Sequence, residues 1–355
     1  MAADDGGEPL AMNSPCAANK IGDREALMAR FGILGFGLHA AKRLMPGFQR
    51  AKNSSVVALS RRDSEKAQDT ARKYGVRFGF GSPAELCRCP EVDAVFVASP
   101  NACHFKDVLL ALGCAKPVLC EKPMGLNAAQ CREMSEAARK AGLVLGVAHV
   151  FRFAESVIRV RERLQSGQVG KPVFARCEFS YNVAQHPRQW INDPALAGGG
   201  PIADVGVHCV DVLRFVLGDD VASVHASGTF DGPMESTAAL TLQFHKGTLA
   251  TVLVSKHVAY RTPFEFVGET GTLRADNGLS VDQPVRLELR RNGVVETEEV
   301  TNDLAYARQV DAFAAALQGK TEFIAPGEEG WRNQLVLDAA YRSMKTGESE
   351  RIVDS

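Results

Sequence analysis

The chain has 355 residues, a length that predicts two domains, and its 45% hydrophobic and 23% charged residues are typical of a globular protein. With 41 basic and 42 acidic residues the net charge is −1, and no run of like charges suggests a nucleic-acid partner. No apolar run approaches the ~20 residues that a membrane span needs. Residues 1–27 lack the pattern of a signal peptide, and we expect them to form a flexible leader.

The first predicted element is a short apolar strand that runs into a glycine-rich turn. Gly35, Phe36 and Gly37 are followed by Ala40, which fits the G-x-G-x-x-G/A fingerprint of dinucleotide-binding turns. Gly35 permits the tight turn, Gly37 lets the backbone approach a pyrophosphate, and Ala40 allows close packing of the next helix. We therefore expect the turn to bind a nicotinamide dinucleotide.

The second predicted strand, residues 54–60, ends in Ser60, Arg61 and Arg62. An acidic residue at this strand end would bind the ribose hydroxyls of NAD, whereas arginine has donors suited to a 2′-phosphate. The sequence therefore favours NADP(H), with NAD(H) possible. In the alternative interpretation both arginines are merely solvated, and Asp63 binds the ribose from the next position.

A third apolar strand, residues 93–99, ends in Ser99, Pro100 and Asn101, and His104 opens the following helix. Polar groups at the carboxyl end of a parallel strand lie at the edge where ligands bind. We expect these residues at the cofactor, with Asn101 hydrogen-bonded to its ribose or carboxamide. His104 alone is more readily explained as an ordinary residue of a helix start.

The stretch from Val118 to Pro123 begins as a predicted strand, which has to stop before Pro123 because proline cannot continue the hydrogen-bonded ladder. Glu121 and Lys122 are therefore predicted at the carboxyl end of this strand. Alone, the pair could be a surface salt bridge. Beside the cofactor turn, we expect Lys122 to take part in the chemistry. Arg152 follows the last strand of this half and is predicted at the same edge, in contact with substrate. The repeated strand–helix alternation predicts an α/β Rossmann domain with a doubly wound parallel sheet over residues 28–150.

Residues 151–355 have a different pattern, with strands of period two joined by short glycine-containing turns. This pattern predicts an α+β domain with a mostly antiparallel sheet and helices on one face. We expect the final helix to be able to pack back on the first domain.

Inside this half, three glycines, 198–200, precede Asp204, His208 and Asp211, whose spacing places them on one face of a predicted helix. Buried titratable groups are costly unless they are satisfied. We expect Asp204 and His208 to be catalytic. In the alternative interpretation Asp204 caps the helix and His208 is a packed, hydrogen-bonded histidine.

Nine cysteines are scattered along the chain without a repeating frame. Cys87 and Cys89 are two positions apart, but no second pair completes a zinc site, so we expect no metal. Free thiols are typical of the reducing cytoplasm, where we expect the protein to reside.

Together these motifs resemble the glucose–fructose oxidoreductase/inositol dehydrogenase (Gfo/Idh/MocA) family. The match is carried by the Gly35 turn, Asn101 with His104, Glu121-Lys122-Pro123, and the triple glycine leading to Asp204 and His208. The resemblance implies a Rossmann domain followed by an open-faced sheet, paired in homodimers or homotetramers. It also implies hydride transfer to or from a sugar or cyclitol, with Lys122, Asp204 and His208 at the reaction and Trp190 in a region similar to sugar-reducing members.

The mechanism that we expect assigns proton transfer to His208 and stabilisation of the reacting oxygen to Lys122. Asp204 either orients His208 or holds a neighbouring hydroxyl, and Glu121 positions Lys122 or the ribose. Two alternatives use the same fold. One is a glycoside hydrolase that retains NAD, and the other is a non-catalytic ligand sensor.

Overall fold

The computed structural model describes residues 28–185 and 189–353, so the predicted leader lies outside the described residues. The strands are β1 (Ala29–Leu34), β2 (Ser54–Ser60), β3 (Phe78–Phe80), β4 (Ala94–Val97), β5 (Val118–Cys120), β6 (Leu145–Val147), β7 (Pro172–Asn182), β8 (Val221–Asp231), β9 (Met234–Phe244), β10 (Leu249–Ser255), β11 (His257–Arg261), β12 (Phe264–Gly268), β13 (Gly271–Asp276), β14 (Val285–Arg291), β15 (Val294–Val300) and β16 (Glu350–Arg351).

The α-helices are α1 (Met45–Arg50), α2 (Ser64–Tyr74), α3 (Pro83–Arg88), α4 (Asn101–Gly113), α5 (Ala128–Ala141), α6 (Glu155–Gln165), α7 (Pro194–Ala197), α8 (Val207–Leu217), α9 (Ala305–Leu317) and α10 (Gly327–Thr346). Two π-helical segments, Ala40–Leu44 and Ile202–Gly206, lead directly into α1 and α8. Both of them therefore lie where the sequence predicted a glycine-rich loop to run into a helix.

The first sheet has six parallel strands in the order β3-β2-β1-β4-β5-β6. Its central strands are apolar and buried on both faces, which is why their sequences are continuous hydrophobic runs rather than alternating ones. The predicted doubly wound parallel sheet is confirmed. Because all strands run in one direction, the segments that follow β1, β2, β4 and β5 meet along one edge.

The second sheet has ten strands, ordered β15-β14-β13-β12-β7-β10-β9-β8-β16, with β11 paired to β7. Its pairings are antiparallel except for β7 with β10, so the predicted mostly antiparallel sheet is also confirmed. Helices α6, α8 and α10 cover one face, and side chains along β9 and β10 alternate between buried and exposed. The other face is open among the described residues, as the period-two pattern indicated.

Helix α9 belongs to the C-terminal part of the chain but packs on the first sheet. Val310, Phe313 and Phe323 join the cluster of buried side chains that contains Phe31 of β1. The rings of Phe31 and Phe313 lie 6.0 Å apart between centroids. Helix α10 also reaches this half through α5 and β6. The hydrophobic core around the parallel sheet is therefore completed by residues near the end of the chain.

Within the described residues, no helix combines the length and the apolar character that crossing a membrane requires.

Candidate active site

The glycine-rich turn after β1 has the shape that a dinucleotide pyrophosphate needs. Gly35 has a φ of +73°, and a Cβ atom added there would lie 2.5 Å from Cα of Ser99. At Gly37 an added Cβ would meet only the Gly35 carbonyl oxygen, at 3.7 Å. A side chain at Gly37 would thus fill open space above the backbone, where phosphates could approach amide groups at the start of the helix. The turn therefore fits the predicted cofactor.

Residues around this turn support it by packing. Phe36 is buried and its ring contacts Tyr74 of α2, with 5.1 Å between centroids. The backbone amide of Phe36 donates to the carbonyl oxygen of Ser60, which ties the turn to the end of β2. Ala40 is fully buried, consistent with the small residue that the fingerprint requires at this position.

The end of β2 presents two arginines. Arg61 donates from its guanidinium to the Thr70 hydroxyl, at 2.8 Å, and Arg62 is exposed beside it. Asp63 caps helix α2 by accepting a hydrogen bond from the Lys66 backbone amide, at 3.0 Å. The carboxylate that the alternative interpretation assigned to the ribose thus caps α2 in this structure.

The polar residues that follow β4 form hydrogen bonds to neighbouring segments of the protein. The buried Ser99 hydroxyl donates to Asp107, at 2.7 Å, and Pro100 precedes the first residue of α4. Asn101 donates from its amide to the Ala197 carbonyl oxygen, at 2.9 Å. This bond links the first half of the chain to the loop that carries the triple glycine.

His104 requires a correction, because its predicted contact with the cofactor is not compatible with its position. The side chain is fully buried, and its ring nitrogens lie 2.8 Å and 2.9 Å from the carbonyl oxygens of Pro123 and Ser99. Burial lowers its pKa, although these two carbonyl groups oppose the shift. His104 therefore joins the segments that follow β4 and β5. This agrees with the alternative interpretation, in which it is an ordinary residue of a helix start.

Lys122 lies at the point where the two halves of the chain meet. It follows β5, its peptide bond to Pro123 is cis, and 12% of its side chain is exposed. Nζ donates to the Asp204 carbonyl oxygen at 2.6 Å and lies 3.3 Å from the Asp204 carboxylate. The other carboxylate oxygen of Asp204 accepts from the Tyr181 hydroxyl at 2.7 Å. The structure thus brings Lys122 and Asp204 together, as predicted, and adds Tyr181.

Glu121, next to Lys122, pairs with a histidine of the cofactor turn. Its carboxylate lies 2.8 Å from Nε2 of His39 and accepts a hydrogen bond from the Lys122 backbone amide. Burial alone would raise the pKa of Glu121, but the adjacent His39, Lys122 and His104 outweigh it and lower that pKa to about 2. An ionised Glu121 therefore connects the cofactor turn to the backbone of Lys122.

His208 lies between two aromatic rings. Its imidazole is 4.9 Å from the Phe151 ring and 5.9 Å from the Phe179 ring, centroid to centroid, and 8% of the residue is exposed. Burial, with a smaller contribution from the Lys122 charge, holds its pKa well below the ordinary value. The imidazole is therefore neutral at pH 7 and able to accept a proton. Its ring contacts are with Phe151 and Phe179, whereas Asp204 contacts Lys122 and Tyr181, so the orientation of His208 by Asp204 stays a prediction.

The expected single helical face is interrupted at Asp204. This residue lies in the π-helical segment, whose wider turn alters the spacing, whereas His208 and Asp211 lie in α8. Asp211 is buried and accepts from the Arg152 guanidinium at 2.7 Å. Asp211 therefore forms a buried ion pair in the interior of the protein and is not part of the candidate site.

Arg152 is a second correction. The predicted substrate contact is wrong because the guanidinium is 3% exposed and is fully engaged by protein oxygens. It donates to Asp211, to Glu329 at 2.6 Å and to the Ile324 carbonyl oxygen at 2.6 Å. These contacts join the end of β6 to α8 and α10, so Arg152 holds the two halves together.

The triple-glycine loop is shaped by a buried carboxylate that the sequence did not single out. Glu235 accepts from the backbone amides of Gly200 and Ile202, at 3.0 Å and 2.9 Å, and from the Tyr341 hydroxyl at 3.1 Å. An added Cβ at Gly200 would lie 2.1 Å from the Glu235 carbonyl oxygen. Burial raises the pKa of Glu235 even though the amide groups of Ile202 and Gly200 oppose the shift. Glycine is thus required by close packing beneath Asp204.

A narrow crevice of about 10 Å³ lies beside the Lys122–Asp204 pair, and Trp190 is one of the described residues that line it. The pocket-lining residues among those described are Asn101, Tyr181, Val183, Trp190, Ile191, Asn192, Ala197, Gly199, Gly200, Pro201, Asp204, Met234 and Lys256. Two aromatic side chains, Tyr181 and Trp190, and two charged side chains, Asp204 and Lys256, are among its lining residues. In the described residues, no group of three His, Cys, Asp or Glu side chains could hold a metal ion.

Two family models match the chain. Residues 29–149 match an oxidoreductase family with an NAD-binding Rossmann fold, and residues 157–274 match the GFO/IDH/MocA C-terminal domain. The first match contains the glycine-rich turn and Lys122, and the second contains Asp204 and His208.

Individual proteins resemble the chain over nearly its whole length. The 1,5-anhydro-D-fructose reductase of Ensifer adhaerens is 32% identical over 92% of this chain and 99% of its own. The D-xylose 1-dehydrogenase (NADP(+)) 2 of Haloferax volcanii is 30% identical over 89% and 98%. The solved aldose-aldose oxidoreductase of Caulobacter crescentus, a glycerol complex, superposes with a TM-score of 0.85 at 26% identity, over 91% of this chain and 99% of that one.

Proposed function

The chain belongs to the GFO/IDH/MocA family of NAD(P)-dependent oxidoreductases, as its motifs predicted, and from this we propose a specific reaction. The enzyme transfers a hydride between NADP(H) and a carbinol or carbonyl carbon of a sugar, sugar derivative or cyclitol. The observation that carries this proposal is the Lys122 ammonium group, held against Asp204 between the cofactor edge and a polar pocket. The names of the two curated relatives, a reductase and a dehydrogenase of sugars, support the same substrate class.

Cofactor binding falls to the turn at Gly35 and Gly37, with Ser60, Arg61 and Arg62 at the adenosine end. Glu121 and Asn101 lie at the other strand ends of the same edge. The bound nicotinamide would supply the acceptor or donor of the hydride. The residues of this chain then have to hold the substrate oxygen and move its proton.

Three side chains perform that work in the proposed mechanism. As the carbinol carbon loses hydride, Lys122 donates a hydrogen bond to the substrate oxygen and stabilises its developing negative charge. Neutral His208 accepts the hydroxyl proton and returns it in the opposite direction. Asp204 keeps Lys122 in place and accepts from Tyr181, an arrangement that also suits a second substrate hydroxyl.

A panel of sugars, polyols and keto sugars, assayed with NADP(H) and NAD(H) in both directions, tests the reaction. We expect a change in absorbance at 340 nm with at least one member. Bond cleavage without net absorbance change would instead identify the glycoside hydrolase that retains its cofactor. Ligand binding without any turnover would identify the sensor, although such a protein has no need of Lys122 and His208 beside a cofactor.

The preference for NADP(H) rests on the two arginines after β2. Replacing Arg61 with alanine should raise KM for NADP+ by about 10- to 100-fold, because a charge-assisted contact with the 2′-phosphate is lost. KM for NAD+ should change little. Steady-state kinetics with both cofactors measures this, and Arg72→Ala, an exposed arginine of α2 paired with Asp69, is the matched control. An equal rise for NADP+ and NAD+ would argue against a 2′-phosphate site.

The open face of the second sheet supports a homodimer or homotetramer. Leu249 and Leu253 of β10 are 51% and 50% exposed, and Phe174, which pairs with Leu249 in register, is 42% exposed. Such a row of apolar side chains is typical of a protein interface. Sedimentation velocity should give the mass of two or four chains, and Leu253→Asp should shift it toward one. A monomeric wild-type protein would contradict this assembly.

The cysteines in the described ranges are all unpaired, which supports the cytoplasmic location that we propose. Burial raises the pKa of the Cys87 thiol to about 12, so this side chain stays protonated and packs as an apolar group.

A further inference from the structure

A buried lysine interrupts an apolar row in the wall of the substrate pocket. Ala250, Val252 and Val254 are the core-facing residues of β10, and each is at most 2% exposed. Lys256 is the next position in that alternation, and its side chain is 9% exposed. Little of this side chain is exposed, so its ammonium group keeps only part of its hydration and oxygen atoms would favourably replace the lost water.

Protein oxygens do not supply that replacement in the described part of the chain. The nearest carboxylate is that of Asp231, 4.0 Å from Nζ and therefore beyond hydrogen-bond distance. The Asp231 side chain is 67% exposed, so solvent screens this pair. A lysine ammonium has three donors, and within residues 28–185 and 189–353 no hydrogen bond from Lys256 Nζ to a protein oxygen is present.

Lys256 lies in the wall of the pocket that we propose for the substrate. The register of β10 with β7 pairs Ser255 with Ser180, so the next residues, Lys256 and Tyr181, are neighbours. Both line the pocket that Asp204 also lines. Asp204 and Lys256 are the two charged side chains among the described lining residues, and Asp204 already accepts from Lys122 and Tyr181. Among the described residues of the pocket wall, no carboxylate lies within hydrogen-bond distance of Lys256 Nζ.

We propose that Lys256 binds an anionic group of the substrate, a carboxylate or a phosphate, at a position separate from the reacting carbon. The substrate class would then be acidic sugars, namely sugar acids or sugar phosphates, and this assignment rests on the proposed function. A neutral hydroxyl could accept one hydrogen bond from Nζ, but only an anion also neutralises the charge.

Matched sugars test this assignment. Values of kcat/KM are measured with NADP+ for D-glucose, D-glucuronate and D-glucose 6-phosphate, and the two anionic sugars distinguish a carboxylate from a phosphate. We expect at least one anion to exceed D-glucose by more than about 10-fold. Lys256→Met should lower kcat/KM for that anion by about 10- to 100-fold more than for D-glucose, mainly through KM. Lys256→Arg should retain more activity toward the anion than Lys256→Met does.

The control is Lys246→Met, in the turn before β10 at the opposite end of that strand, which should leave all three substrates unchanged. A wild-type preference for D-glucose over both anions, or an equal loss for all three sugars in Lys256→Met, would overturn the role of Lys256. Turnover of neutral sugars alone would leave the proposed function intact. If no sugar is turned over, equilibrium binding of D-glucuronate and inorganic phosphate decides: weaker binding by Lys256→Met supports the site, and equal binding refutes it.

Discussion

Replacing Lys122 with alanine is expected to lower kcat by about 10²- to 10³-fold, the loss typical of removing one donor to a developing oxyanion. The geometry explains the size of this effect. Nζ is fixed by the Asp204 carbonyl oxygen and carboxylate, so its remaining N–H group is oriented before substrate binds. Water entering the space of the missing side chain would have to be reoriented during the reaction, and an oriented ammonium group avoids that cost.

Steady-state kinetics should show this loss mainly in kcat, while cofactor affinity, measured by quenching of protein fluorescence, changes little. Lys140→Ala is the matched control, because Lys140 is exposed on α5, on the helix that follows the same strand end. Lys122→Met preserves the length of the side chain and separates loss of charge from loss of packing. Wild-type turnover in both Lys122 variants would exclude the proposed role.

Replacing His208 with asparagine is expected to lower kcat/KM by about 10²- to 10⁴-fold, because the proton acceptor is removed. The same variant should change the pH profile. Burial holds the pKa of His208 well below its ordinary value, so the neutral imidazole predominates at neutral pH. Oxidation of the substrate requires this neutral form, and wild-type activity should therefore be flat through neutrality and fall only at acidic pH, as His208 takes up a proton.

In His208→Asn that acidic limb should disappear along with most of the activity. His208→Gln provides a second variant in case asparagine disturbs the contacts with Phe151 and Phe179. The control is His225→Asn, since His225 is exposed on β8 in the same half of the chain. A variant that keeps the wild-type acidic limb would show that another group moves the proton, and Tyr181 would be the next candidate because its hydroxyl reaches Asp204.

The strand ends of the first half could be predicted from the sequence because they depend on local chemistry. A buried parallel strand is a continuous apolar run, and Pro123 has to end the strand that precedes it. Lys122 was therefore placed correctly at the ligand edge of the sheet. The direction of a side chain beyond such a strand end depends on what packs above it, and this information is not local. Arg152 and His104 were misassigned for that reason, since their partners include Glu329 and Pro123.

The contributions of Tyr181 and Glu235 could not be predicted from spacing. Tyr181 is the last buried-side residue of an alternating strand, and its hydroxyl meets Asp204, 23 positions later in the chain. Glu235 reaches the amide of Gly200 across 35 positions. Each of these contacts requires the second sheet to be folded against the helix that follows the triple glycine. A polar residue at the end of an apolar row, such as Tyr181, is the one feature of the sequence that could have suggested a site.

The packing of α9 on the first sheet has a consequence for the synthesis of the protein. When residue 150 has left the ribosome, every strand of the parallel sheet exists, yet the surface that Val310 and Phe313 later cover is still in contact with water. That surface stays uncovered while more than 150 further residues are added. Burial of apolar surface drives folding, so the nascent cofactor half lacks part of its stabilisation until α9 emerges. Completion of the fold is therefore a late event of translation, and chaperones that bind exposed apolar surface have a long interval in which to act.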